Sequence, residues 1–179
     1  KTHQLDPYKK IDVPGKPLLI EAVAMQWKWL FLYPKQGIAT VNYVEIPNNR
    51  QVQFYITADA PMSSFFIPQL GSQIYAMAGM RTRLHLLPNR EGTYEGMNSQ
   101  YNGDGFSDMK FKAKVVSIKE FDNWVSNHKK PGKKLDLSVY RALSKPTIDV
   151  KPIYYSSFEP KGLFKRIMVQ YTKPNMNLH

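Results

Sequence analysis

The chain has 179 residues, no cysteine, and 25 Lys and Arg against 14 Asp and Glu, for a net charge of +11. That length is enough for one domain with an appendage and a substantial core, and an aromatic content of 13% excludes a disordered chain. The missing cysteine excludes disulfides and thiol nucleophiles, and no run of 18 or more apolar residues is present to span a membrane as a helix. The sequence begins at Lys1 with no signal-peptide pattern, so it is expected to be a processed or truncated piece. The charge is unevenly placed. From Lys110 onward there are 15 Lys and Arg against 5 Asp and Glu, whereas the preceding residues carry 10 against 9. Such a basic block could bind nucleic acid, anionic lipid headgroups or an acidic protein face, or be no more than a solvated surface.

Residues 1–16 are polar, contain Pro7 and Pro14, and read as an extended linker. Leu18 to Pro34 is rich in β-formers and reads as one long strand or two with a kink, in which Trp27 and Trp29 share a face as a core aromatic pair. Val41–Asn49 and Gln51–Ala58 read as antiparallel strands joined by a Pro-Asn-Asn turn. Ser63–Gly71 follows as a strand broken at Pro68. Residues 72–80 and 81–88 read as a hairpin turning at Ala78-Gly79, with His85 out of phase with Leu84 and Leu86 as a surface or hydrogen-bonded residue. Phe111–Val116 closes the series. About eight short strands with regular turn signals predict a Greek-key β-sandwich or barrel.

Helical signals then take over. Ser117 and Glu120 form a capping box before the apolar stripe of Phe121, Trp124 and Val125, and Pro131-Gly132 ends that helix. A second helix is predicted over Leu137–Leu143, stopped by Pro146. Between Ile153 and Tyr171 a third places Phe164, Ile167, Met168 and Tyr171 on one face, with Lys161, Lys165 and Arg166 mostly elsewhere. A basic helix with one apolar face suits a membrane surface or a partner.

The stretch that organises the chain is Pro61 to Lys112, centred on GTYEGMNSQYNGDGFSDMKF from Gly92 to Phe111. It has the outline of a metal-binding loop between two strands. Gly92, Gly96, Gly103 and Gly105 are read as turn glycines, and Asn98, Asn102 and Asp104 tolerate turn conformations. It offers no pair of residues to grip a metal. Together with MSSFFIPQLGSQIYAMAGM (Met62 to Met80), this stretch resembles the extramembrane domain of subunit II of the haem-copper terminal oxidases, in the cytochrome bo-type ubiquinol oxidase branch. The cytochrome c oxidase branch holds a dinuclear copper A centre here with two His, two Cys, a Glu and a Met. On this sequence those positions are Ser63, Asn98, Gln100, Asn102, Phe106 and Met109. Only Met109 keeps a ligand type. Independently of the family, a mixed-valence dinuclear copper needs bridging thiolates and a type 1 copper needs one, and the chain has none.

The resemblance covers nearly the whole chain, strongest from Trp27 to Phe121, and implies a mainly β, cupredoxin-like sandwich or barrel with a short C-terminal helical extension. The implied organisation is a linker at 1–16 from the membrane-anchored part, a cupredoxin-like domain at 17–118 without copper ligands, and a basic, partly helical extension at 119–179. Trp27 matches the residue that takes electrons from cytochrome c in the copper-containing branch; without copper behind it, packing is expected instead. The resemblance further implies a periplasmic domain of a proton-pumping ubiquinol oxidase of the aerobic respiratory chain. Its role would be structural and non-redox, with no catalytic, cofactor or metal site in this segment and with haems and copper in subunit I. Expected partners are subunit I and other oxidase subunits and the inner membrane, through two preceding transmembrane helices. Contact of the basic tail with anionic lipid is possible chemistry; nucleic acid is not expected.

For an enzyme in its own right the chain offers little. His3, His85, His128 and His179 are scattered, no phosphate loop, metalloprotease helix or nucleophile elbow is present, and Asp104 and Asp108 read as a solvated turn. Two readings of another class stand beside the oxidase. One is a thioether copper(I) carrier using Met62, Met77, Met80, Met97 and Met109; the other is a β-sandwich that binds an anionic partner through its basic tail.

Overall fold

A computed structural model describes residues 16–60, 63–70, 72–98, 109–147 and 150–171. Two packed sheets account for most of it. The first, six-stranded, has the order β12 (Ile153–Tyr155), β3 (Ile38–Val41), β2 (Lys28–Tyr33), β1 (Leu18–Met25), β5 (Val52–Asp59) and β8 (Thr82–Leu86). The second, five-stranded, has the order β4 (Tyr43–Pro47), β10 (Lys110–Val116), β9 (Gly92–Asn98), β6 (Ser63–Ile67) and β7 (Ser72–Ala76). A short pair, β11 (Lys134–Leu135) and β13 (Ser157–Phe158), and three helices, α1 (Ile118–His128), α2 (Leu137–Leu143) and α3 (Leu163–Val169), complete it.

Burial follows from which faces are covered. In β10 the apolar Phe111, Ala113 and Val115 point inward while Lys110, Lys112 and Lys114 are exposed, the alternation of a strand with one wet face. In β2 all six residues are buried, because it has a core on each side. Trp29, Phe31 and Tyr33 face the inter-sheet core, and Leu30 and Leu32 join a second cluster with Leu135, Tyr140, Phe158, Leu163, Phe164 and Ile167. The second cluster is the C-terminal extension laid over the outer face of the first sheet, to which it also adds β12 beside β3. Phe164 and Ile167 of the expected apolar face of α3, with Leu163, are therefore spent on the chain's own sheet, whereas Met168 is half-buried and Tyr171 is exposed.

Several pairings differ from the sequence reading. Leu18 to Pro34 is two strands joined by a two-residue turn, with Trp27 at φ 73. That turn resets the alternation, so Trp29 is fully buried while Trp27 is half-buried at the turn, and they are not a core pair. β4 and β5 do not pair, since β4 runs parallel to β10 and β5 runs parallel to β1. β7 and β8 likewise belong to opposite sheets, paired with β6 and β5. Consecutive strands β4 and β5 therefore lie in opposite sheets, as do β7 and β8. Asn42, read as part of a strand, is a left-handed residue at φ 57 between β3 and β4. His85 is buried opposite Gln53.

α1 and α2 match their signals, whereas in the stretch read as a third helix Ile153–Tyr155 and Ser157–Phe158 are strands and only Leu163–Val169 is helical. Ser117 Oγ accepts from Glu120 N at 3.1 Å at the start of α1, and Asp136 Oδ1 accepts from Val139 N at 2.9 Å at the start of α2, each satisfying a backbone donor that the first turn leaves open. Lys28 is buried, which no charge count predicts. Its ammonium donates to Leu143 O at 2.7 Å and Lys145 O at 2.9 Å, capping the carbonyl end of α2, where a cation is favoured.

Gly96 sits inside β9 rather than in a turn, directly opposite Phe111. A Cβ there would lie 2.0 Å from Phe111 Cζ, so the missing side chain is what lets the ring enter the core. Gly96→Ala is expected to destabilise the fold by about 3 kcal/mol or more, as overpacking does at a site unable to yield, measured by urea unfolding; Gly96→Ala combined with Phe111→Leu should recover part of the loss.

Candidate functional site

The candidate site is the end of the sandwich where β6 begins, β9 ends and β10 begins. The sequence-predicted positions Ser63, Asn98 and Met109 come together there, all fully or nearly fully buried. Gln100, Asn102 and Phe106 lie outside the described residues, as do Met62, Gly103, Asp104, Gly105 and Asp108. Alternation along β9 places Tyr94, Gly96 and Asn98 inward, so Asn98 arrives in the core as a polar group needing partners. Its Oδ1 accepts from Ser64 N at 2.8 Å, its Nδ2 donates to Met109 Sδ at 3.5 Å, and its backbone N donates to Met109 O at 3.3 Å. Trp29 Nε1 donates to the same carbonyl at 3.4 Å. Behind them, Phe65 and Phe111 stack with centroids 5.2 Å apart, and Trp29 meets each edge-on at 5.5 and 5.6 Å.

This set does not fit a dinuclear copper. Thiolates are missing from the chain, the Asn98 amide is already bonded through both its oxygen and its nitrogen, and the thioether of Met109 is an acceptor in that same network. An amide is a hard, neutral donor and cannot replace a bridging thiolate. Among the described residues no cluster of three His, Asp or Glu side chains is placed to hold a metal. Among the described residues, Met80, Met97 and Met109 do not form one thioether site. Met109 is in the core, Met97 is on the outward phase of β9, and Met80 is 53% exposed.

Two other titratable groups stand out. On the outer face of the first sheet, burial raises the Glu21 carboxyl to about 7, opposed by the charge of Arg81, whose guanidinium lies 4.3 Å over the Tyr55 ring. On the edge strand β4, burial lifts Glu45 above the usual carboxylate range, against the Tyr43 hydroxyl, which donates to it, and the charges of Lys114 and His128. Around it Tyr43, Trp124, His128 and Tyr154 pack ring against ring. Neither group had a motif to betray it; both depend on which face the extension and α1 cover.

These features define a cupredoxin-like sandwich, one end of which is closed by a hydrogen-bonded amide. The family described as cytochrome c oxidase subunit II, periplasmic domain, matches residues 33–116, and the COX aromatic-rich motif matches 129–175. Cytochrome bo(3) ubiquinol oxidase subunit 2 of Pseudomonas aeruginosa is 51% identical over 170 residues, 95% of this chain and 51% of that protein. Quinol oxidase subunit 2 of Bacillus subtilis is 41% identical over 142 residues, 79% of this chain and 44% of that protein. Among solved structures, the periplasmic domain of subunit II of cytochrome oxidase (CoxB) of Bradyrhizobium japonicum superposes with a TM-score of 0.62 at 26% identity, over 66% of this chain and 98% of that one. The chain belongs to the oxidase subunit II family, on its ubiquinol oxidase branch. It spans about half the length of the curated relatives it matches.

Asn98→Ala is expected to strand the buried Ser64 N–H and lower stability by about 1–3 kcal/mol, read by urea unfolding, with no change in the metal content of the purified protein. Glu21 gives a pH-dependent outcome. Its folded pKa lies above its unfolded one, so its unfavourable contribution is absent below about pH 4.5, grows between about 4.5 and 7, and is complete above. Glu21→Gln should therefore stabilise the fold at pH 8 by on the order of 1 kcal/mol after solvent screening, seen as a higher midpoint of thermal unfolding, and leave the midpoint unchanged at pH 4.

Proposed function

We propose that this chain is the periplasmic domain of subunit II of a proton-pumping ubiquinol oxidase, in which it holds the complex together and carries no electrons. The observation behind this reading is the Asn98 amide, bonded to Ser64 and Met109 where the copper-containing branch needs a thiolate. A cytochrome c oxidase takes electrons from a water-soluble donor outside the membrane and needs a metal relay in this domain. Ubiquinol is lipid-soluble and delivers electrons within the bilayer, so the relay is dispensable. The haems, the copper at the oxygen site and the quinol pocket would then all belong to subunit I, and this domain would cap that subunit on the periplasmic side of the inner membrane, anchored by two transmembrane helices. Ser63, Asn98, Gln100, Asn102, Phe106 and Met109 are vestigial copper positions in this reading, and Trp27 packs rather than admits electrons. The basic extension is available to anionic lipid.

The purified complex containing this chain is expected to oxidise ubiquinol at least ten times faster than reduced cytochrome c, and Trp27→Phe should leave the ubiquinol rate within twofold of the parent. A preference for cytochrome c, or a collapse of turnover in Trp27→Phe with the complex intact, would sink the proposal.

A further inference from the structure

A cavity of about 830 Å³ opens between the β1–β2 turn, the end of β5, α2 and α3. Its electrostatics are set by three side chains, Asp59, Arg141 and Arg166. Both oxygens of the Asp59 carboxylate are occupied, one by the Tyr140 hydroxyl and the other by the Tyr171 hydroxyl. Burial raises both phenols above their ordinary range, so they remain protonated donors. The carboxylate is thus committed to the protein. The guanidiniums are not: among the described residues the ion pair formed is Lys134 with Glu159, and neither Arg141 nor Arg166 has a carboxylate partner. Two unpaired arginines facing one committed carboxylate leave the cavity net positive and rich in N–H donors.

From this we infer that the cavity is a binding site for a phosphoester. The two guanidiniums repel a cation, and the single carboxylate between them already accepts from two phenols. A carboxylate ligand has two oxygens and one charge, whereas a phosphomonoester has three terminal oxygens and a second charge to share between both guanidiniums and the Gln26 and Gln170 amides in the lining. The volume lies within the range of small-ligand sites and well above what a bare phosphate fills, and Leu137, Leu163 and Ile167 supply an apolar wall for an organic group. The shared chemistry is a phosphate ester with a short apolar portion, whether a lipid headgroup or a soluble phosphomonoester.

The test titrates the 179-residue chain with inorganic phosphate, with glycerol 3-phosphate and with phosphatidic acid vesicles, by calorimetry at fixed ionic strength. Two double variants remove the same charge: Arg141→Gln with Arg166→Gln in the cavity, and Lys112→Gln with Lys114→Gln on the far sheet. All four side chains are exposed, and thermal unfolding verifies that both variants fold. The expected result is saturable binding weakened at least tenfold by the arginine pair and less than twofold by the lysine pair. Vesicle binding with that pattern, tighter than glycerol 3-phosphate, identifies a lipid source; glycerol 3-phosphate binding that vesicles do not displace identifies a soluble one. Equal weakening by both pairs would reduce the effect to general attraction by a basic protein and overturn the site, as would no saturable binding by any of the three probes.

Discussion

The architecture turns on Asn42. It stands where the chain leaves the first sheet for the second, in a left-handed conformation that asparagine tolerates better than other side-chain-bearing residues. All four of its polar groups are used. Its backbone N donates to Trp29 O at 2.8 Å and its carbonyl accepts from Lys112 N at 3.1 Å; its side-chain oxygen accepts from Trp29 N and its side-chain nitrogen donates to Val150 O, both at 2.8 Å. One buried residue thus joins β2 of the first sheet, β10 of the second and the C-terminal extension. Tyr33 adds a parallel tie, its hydroxyl donating to Glu45 O and accepting from Glu45 N across the sandwich. A buried amide left with a missing partner is expensive, so the crossing, the sheet pairing and the docking of the extension are coupled.

That coupling reaches the candidate site through Trp29. Its backbone is held by Asn42, and its ring abuts Phe65 and Phe111 while its indole donates to Met109 O. The same aromatic packing that forms the core therefore positions the strand ends flanking the loop. Asn98 is satisfied within this frame without an ion, because its amide finds a backbone donor on one side and a sulfur acceptor on the other. A site built for metal leaves its ligands dependent on the ion for partners; here the polar groups complete one another, and the end of the sandwich is stable as an ordinary piece of core.

Local signals carried much of this into the sequence. The closing strand at Phe111–Val116, the Ser117 and Glu120 cap and the bounds of α2 were legible because each depends on neighbours a few residues away. Chain-crossing facts were not. Val41–Asn49 and Gln51–Ala58 had the look of a hairpin, but the fold sends them to opposite sheets because β1 and β10 are better placed as partners. Trp27 and Trp29 had matching phase, but a turn containing no glycine intervened. Lys28 reads as surface and is buried, since the carbonyls that receive it belong to residues 143 and 145. At the site, the missing thiolates were plain from composition, whereas the bonds that replace them join residues 64, 98 and 109 and had no motif.

The placement of the extension also accounts for where the excess charge goes. Leu163, Phe164 and Ile167 are pinned against the first sheet, so Lys165 points outward with Lys161 just before it, while Arg166 is left lining the cavity beside α2. Lys28 holds α2 from beneath, which fixes Arg141 relative to α3 through the shared cluster. A basic segment without structure would lose conformational entropy on meeting an anion. Here the guanidiniums are mounted on packed helices and their backbones are already ordered. The apolar burial that anchors the extension is thus also what turns its positive charge from a diffuse property of composition into a fixed surface.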